Sequence, residues 1–328
     1  MYNVMKLYKA LTVLGIALIT ATCCKNNDIT FPDFDYQTVY FASQYPVRTV
    51  VLGEDINIDN SLDQEHKIEI KATLGGTRDN KNKVLIDFQV DESLLSNLYF
   101  DNNDAPILPL PSNYYELASD QIAIAPGDIL GGVQVQLTNA FFADPKALEN
   151  NYAIPLKMTR VHEADSILAD KDFIFYAVKF INEWHGNYLR RGKDVVTYTG
   201  ETNSVDINRH TDYVERDEVN KLTTKSLQEV NFPIIIKDKD GNNINSTLVL
   251  TFDNEGHCTI SSGTNGASIS GTGSFVKKGD KNSWGNKDRD VLYLDYQITN
   301  DQFTSNTKDT LVMRDRAVVP EYFTPVMK

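Results

Sequence analysis

Two tryptophans, a few tyrosines and an arginine–histidine pair are the residues of this chain best suited to chemistry, and that chemistry is recognition rather than bond breaking. A flat aromatic face suits the C–H side of a pyranose ring, while adjacent polar side chains take its hydroxyls. Trp284 is the first candidate. The run Lys281-Asn282-Ser283-Trp284-Gly285-Asn286-Lys287-Asp288 has no apolar neighbour and reads as an exposed loop. An indole left uncovered there costs solvation unless something shields it; the alternative is an indole folded back onto the body. Trp184, beside Tyr188, is a weaker candidate because its surroundings suit a core. Tyr198, Arg209, His210 and Tyr213 fall in a polar connection and complete the candidate contacts. Tyr114 and Tyr115 suit packing.

Bond-breaking chemistry finds less support. Glycoside cleavage needs two carboxylates about 5–10 Å apart in space, and 45 acidic residues make accidental pairs inevitable. A family-18 glycosidase would carry an Asp-x-x-Asp-x-Asp-x-Glu run; the nearest stretch, Asp87-Phe88-Gln89-Val90-Asp91-Glu92, has the wrong spacing. His66, His162, His185, His210 and His257 show no His-Glu-x-x-His pairing, so no metal is expected. Asp238-Lys239-Asp240-Gly241-Asn242 places its glycine fourth rather than sixth, and reads as a hairpin turn instead of a calcium loop. There is no Gly-x-Ser-x-Gly elbow and no phosphate loop. Cys258 sits in an alternating run and reads as a small buried residue. The expectation is a protein without cofactor that is not an enzyme.

A formal charge of −13 argues against nucleic acid and anionic lipid headgroups as partners. Residues 1–22 have the three parts of an export leader: Lys6 and Lys9, an uncharged apolar stretch from Ala10 to Ala21, and Thr20-Ala21-Thr22 before Cys23. The apolar stretch is too short for about 30 Å of hydrocarbon. A cysteine at that position, followed by Lys25-Asn26-Asn27-Asp28, resembles the bacterial lipoprotein signal. The resemblance implies cleavage before Cys23 and a diacylglycerol on its thiol, with Cys24 the alternative. Two or three acyl chains, at about 0.8 kcal/mol per methylene, hold a protein durably on a membrane. Membrane contact is then through the lipid alone.

Beyond a spacer over residues 23–37, strand signals follow in quick succession. Thr38–Ala42, Arg48–Leu52, His66–Ala72, Lys83–Val90, Gln121–Ile124, Gly132–Leu137, Tyr152–Met158 and Phe173–Ile181 are short β-branched and aromatic runs with few helical stretches between them. That density predicts a β-sandwich over 38–181, with Val135, Leu137, Ile154 and Leu156 inward by alternation. From 182 to 328 the runs are hairpin-like, at Asp194–Thr199, Thr223–Ile236, Thr247–Phe252, Cys258–Ser261, Gly271–Val276, Val291–Ile298 and Asp309–Met313. A meander of that length hides its edges by stacking as two sheets or by closing into a barrel, and the barrel is the expectation.

Particular residues then carry a resemblance. Tyr114-Tyr115-Glu116-Leu117, Ile122-Ala123-Ile124-Ala125-Pro126-Gly127, Gly132-Val133-Gln134-Val135 and Asn151-Tyr152-Ala153-Ile154-Pro155-Leu156-Lys157-Met158 look like an N-terminal domain of Bacteroidetes surface lipoproteins. That domain, also found before some family-18 endo-β-N-acetylglucosaminidases, implies an immunoglobulin-like sandwich. The second half, from Trp184-His185-Gly186-Asn187-Tyr188 with Arg190-Arg191-Gly192 to Asp309-Thr310-Leu311-Val312, is similar to a calycin/lipocalin-like β-barrel often paired with it. The pairing resembles glycan-binding lipoproteins of polysaccharide-utilisation systems. It implies an outer-membrane, cell-surface protein that binds polysaccharide or glycoprotein glycan, with SusC/SusD-like importer proteins as partners. A structural subunit of such an importer, touching protein alone, and an unrecognised glycoside hydrolase are the alternatives.

Overall fold

A computed structural model describes residues 36–76, 79–101 and 105–328. The leader, Cys23, Cys24 and the spacer up to residue 35 lie outside the described residues. Tyr36–Lys328 form one compact unit. No helix among the described residues is long and apolar enough to cross a membrane.

The first half consists of β1 (Thr38–Tyr40), β2 (Pro46–Val51), β3 (Lys67–Gly75), β4 (Val84–Val90), β5 (Leu98–Phe100), β6 (Leu108–Pro109), β7 (Tyr115–Leu117), β8 (Gln121–Ile124), β9 (Leu130–Leu137), β10 (Tyr152–His162), β11 (Ser166–Ile167) and β12 (Phe173–Ile181). Hydrogen bonding runs through them in the order β11-β1-β3-β9-β8-β4-β10-β12-β2. At the β8–β9 step only Ala123 and Gly132 are paired, and there the sheet folds over on itself. A Cβ on Gly131 would stand 2.0 Å from the Ala123 carbonyl oxygen, so that crossing needs glycine. Both leaves then bury one face in a shared core. Ile68, Ile70, Val133 and Val135 come from one leaf, and Ile86, Ile122, Ile154, Leu156 and Phe180 from the other. Val135, Leu137, Ile154 and Leu156 are all inward, as the alternation requires. This is the expected immunoglobulin-like sandwich.

The second half comprises β13 (Gly186–Tyr198), β14 (Ser204–Arg209), β15 (Glu218–Thr224), β16 (Glu229–Lys237), β17 (Asn243–Phe252), β18 (His257–Ser262), β19 (Ser268–Ser283), β20 (Lys287–Thr299) and β21 (Phe303–Asp315). All neighbours are antiparallel. β21 returns to pair with β13 from Asn187↔Asp315 to Tyr198↔Phe303, which closes the barrel and leaves no free edge at that seam. On its other flank β13 meets β15 through residues 186–190 and β14 through residues 192–197. Asp238 and Gly241 form the hairpin turn between β16 and β17: Asp238 Oδ1 accepts the backbone N–H groups of Asp240 and Asn242. Cys258 is buried between β17 and β19, and burial pushes its thiol up to about 12, which leaves it protonated and inert.

After the barrel closes, β22 (Glu321–Tyr322) pairs with β2 and β23 (Pro325–Met327) pairs with β5. The last residues therefore join the first half. Arg316 sits at the junction, almost fully buried. Its Nη2 donates to the carbonyls of Leu52 at 2.8 Å and Asn182 at 2.6 Å, and its Nε to that of His185 at 2.9 Å. One guanidinium thus satisfies backbone acceptors from both halves, where an unpaired carbonyl would carry a desolvation cost.

Candidate functional site

Alternation along the barrel strands sorts every side chain to the interior or the outer wall, and the two have different chemistry. Inside, Trp184, Tyr188, Phe232, Leu250, Phe252 and Leu292 belong to one apolar cluster. Farther along the same strands the interior turns ionic. Asp309 Oδ2 accepts from Arg190 Nε at 2.9 Å and from the Tyr296 hydroxyl at 2.7 Å, while Oδ1 accepts from Arg209 Nη2 at 2.5 Å. Arg209 also donates through Nη1 to Asp194, whose other oxygen takes the Thr307 hydroxyl at 2.7 Å. Two arginines and two aspartates neutralise one another where water is scarce. The interior of the barrel is occupied, which turns attention to its outer face.

That wall is a polar array set by register. One row runs Ser274–Tyr293–Thr310–Arg191 across β19, β20, β21 and β13. The next runs Thr272–Asp295–Lys308–Lys193–Asn208 and reaches β14. Tyr293 is 43% exposed on a strand whose inward neighbours, Leu292 and Leu294, are buried. Two shallow grooves cover these rows. One of about 490 Å³ includes Ser274, Tyr293 and Asp295; one of about 440 Å³ includes Arg191, Lys193, Asn208 and His210; Lys308 and Thr310 border both. Beyond Arg191 the row continues into the connection after β14. Arg191 Nε donates to Asp217 at 2.6 Å, Asp217 accepts the Thr211 N–H at 2.7 Å, and the Thr211 hydroxyl donates to the Tyr213 carbonyl at 2.6 Å. Tyr213 is 56% exposed, with the Arg216 guanidinium 5.2 Å over its ring. Three strand steps separate Tyr293 from this connection, about 14 Å at ordinary strand spacing.

The six residues singled out from the sequence fall into separate places. Trp184 is a correction: it is 5% exposed, and its ring lies flat on Phe252 at 4.1 Å and 6°, so no sugar reaches that face. Arg209 ends β14 rather than lying in a connection, and its charge is spent on Asp194 and Asp309 inside the barrel. Tyr198 ends β13, packs against the apolar interior, and donates its hydroxyl to the Lys237 carbonyl at 3.4 Å. Trp284 is not the free platform expected of an exposed loop. It packs over Leu189, Val291 and Val312 on the outer wall, with the Arg289 guanidinium 3.7 Å from its ring. Val291, Val312 and Leu189 form the row directly beside Tyr293–Thr310–Arg191, so Trp284 borders the same face. His210 lines the groove on that face, and Tyr213 follows it in the connection after β14. The exposed turn 253–257 brings Asp253, Glu255 and His257 within 4.8 Å of one another, but Asp253 is engaged by the backbone N–H groups of Glu255 and His257 and the group reads as a turn.

The residue missed was Tyr293. Its signal was present in Val291-Leu292-Tyr293-Leu294-Asp295-Tyr296: with Leu292, Leu294 and Tyr296 inward, Tyr293 must point out. An aromatic in mid-strand reads as core unless that parity is followed through.

Sandwich, closed barrel and open polar wall define a two-domain all-β protein. Residues 183–317 match a protein-family model described as a domain of unknown function (DUF5627), and residues 34–165 match one described as an N-terminal domain. No curated protein matches the chain. A crystal structure of a Bacteroides ovatus protein of unknown function is 47% identical, covers 90% of this chain and 100% of its own, and superposes with a TM-score of 0.83. The chain belongs to the same family as that Bacteroides ovatus protein. An auxiliary nutrient binding protein from Bacteroides thetaiotaomicron is 13% identical over 81% of this chain and 90% of its own, with a TM-score of 0.40. A likeness of that size carries no functional argument.

Proposed function

We propose that the protein is a non-catalytic glycan-binding lipoprotein of a glycan uptake system, reading polysaccharide or glycoprotein glycan on the outer wall of its barrel. The observation that carries this reading is the exposed Tyr293 ring, set in a row of hydroxyl and charged side chains that runs through Thr310 to Arg191, two strand steps or about 10 Å away. A β-barrel wall presents such groups at fixed spacing and loses little entropy on binding, as an extended ligand requires. Non-catalytic action is supported by the pairing of the interior acids. Inside the barrel Asp194 and Asp309 share Arg209, which neutralises both and leaves neither suited to act as a free acid or base.

Burying about 60 Å² of ring against a sugar contributes about 1.5 kcal/mol. Tyr293→Ala in the leaderless protein should therefore weaken glycan binding about tenfold in calorimetry. Undiminished affinity in that variant would move the site elsewhere, and binding to no member of a broad glycan panel would end the reading in favour of an importer subunit with protein partners.

The same proposal places the chain on the outer membrane through a lipid on Cys23, or on Cys24, beside SusC/SusD-like proteins. The leader form and the polar run after the cysteines support it. Mass spectrometry of the protein from its native membrane should find a diacylglyceryl-modified N-terminal cysteine. A freely secreted, unmodified chain would refute the tether.

A further inference from the structure

Across the seam where the barrel closes, Lys193 on β13 stands directly opposite Lys308 on β21. Like charges placed directly opposite on adjacent strands repel and destabilise a sheet. This chain carries a formal charge of −13 and is rich in acids that could have filled either position. Instead Arg191 adds a third cation one step along the same face of β13, and His210 completes the group. The groove of about 440 Å³ over the seam is lined by Arg191, Lys193, Asn208, His210, Lys308 and Thr310, without a carboxylate. Each cation does have an acidic partner at the margin. Lys193 reaches Asp206 at 2.6 Å, Lys308 reaches Asp295 at 2.7 Å, and Arg191 reaches Asp217 at 2.6 Å. The two lysine pairs are among half- to mostly exposed side chains, and pairs of that kind contribute little and exchange readily. Both lysines lean away from each other, toward those margins. A local conflict of this kind, kept on an exposed face, is where function is to be sought.

Resting on the glycan reading above, we infer that this face takes an acidic glycan, whose carboxylate or sulfate ester seats between Lys193 and Lys308 with Arg191 beside it. An anion placed there turns a repulsive pair into a bridged one. The formal charge of −13 repels anions in general, but that repulsion is screened beyond a Debye length of about 8 Å, so the cations at the seam dominate for an anion seated there. Tyr293, Thr310 and Asn208 hold the uncharged parts of the sugar while the seam takes the charge.

The test compares calorimetric binding of the leaderless protein to polygalacturonate, to its methyl ester, to κ-carrageenan and to neutral dextran. The proteins are wild type, the double variant Lys193→Gln/Lys308→Gln, and Tyr293→Ala. Wild type should bind at least one acidic polymer ten times or more tighter than the methyl ester and dextran, and the double variant should lose at least tenfold. Polygalacturonate carries carboxylates alone and κ-carrageenan sulfate esters alone, so whichever is preferred identifies the group the seam takes. The melting temperature of the double variant should be unchanged or raised, since a repulsion is removed. A fall of several degrees would show that the lysines serve the fold, and would overturn the inference. Methyl ester or dextran bound as tightly as polygalacturonate, with Tyr293→Ala still weakening it, would overturn the acidic specificity and leave the glycan reading standing. Binding to none of the four would overturn both.

Discussion

Asp309→Ala should lower the unfolding free energy by about 3–5 kcal/mol, the range for removing one partner of a buried ion pair. Asp309 accepts from Arg190, Arg209 and Tyr296, and Arg190 is 3% exposed. Without the carboxylate, Arg190 is a buried cation whose remaining contacts are the Tyr296 hydroxyl and the Phe232 ring, whose centroid lies 5.3 Å away, with the Glu218 charge acting on it without an ion pair. Neither the hydroxyl nor the ring neutralises a charge. Replacing both members, in Arg190→Met/Asp309→Leu, should recover much of the loss, because the expense lies in the orphaned charge rather than in the missing attraction. Urea denaturation at neutral pH measures both. A loss below about 1 kcal/mol in Asp309→Ala would mean that water reaches the network and that the barrel is less closed than its register implies.

Acid should destabilise the fold through His185. Its imidazole is buried beside the junction of the two halves, and Nδ1 accepts the Thr224 N–H at 3.1 Å. Burial first, and then the positive charges of Lys221, Arg316 and Lys179, bring its pKa down to about 3. An unfolded histidine protonates near 6.5, so between these values the unfolded chain binds the extra proton. The contribution is therefore complete above pH 6.5 and is lost as the pH falls, at about 1.4 kcal/mol per unit. From pH 7 to pH 4.5 that amounts to about 2.7 kcal/mol. His185→Asn retains an acceptor near Nδ1 but cannot take the proton. Its stability should fall less over the same range, by about that difference. Equal falls in the two proteins would assign the acid sensitivity to the carboxylates instead.

The sandwich was legible because its evidence is local. A pleated strand alternates its side chains with a period of two, so Val135, Leu137, Ile154 and Leu156 declare a buried face within a few residues of chain. The same parity turns Tyr293 outward between the buried Leu292 and Leu294. Trp284 shows the opposite case. Its neighbours in sequence are polar, yet Leu189, from a strand far earlier in the chain, and Val291 and Val312 supply the apolar surface that it covers. No window along the chain holds that information. Arg209 was misplaced for a related reason: a polar stretch looks like a surface connection until closure of the barrel puts Asp309, far along the chain, beside it.

By itself, then, the amino-acid sequence settled the β class, the sandwich in the first half, a meander in the second, and the inward side of each strong strand. These follow from intrinsic strand preference and from the two-residue repeat of the pleat, both of which act between near neighbours. Only the tertiary structure decided which rows meet across the seam between β13 and β21, and with them the buried Arg190–Asp309 pair, the outer Tyr293–Thr310–Arg191 row and the opposed Lys193 and Lys308. Register between strands more than a hundred residues apart is set by how the whole barrel closes, and closure is a property of all its strands together.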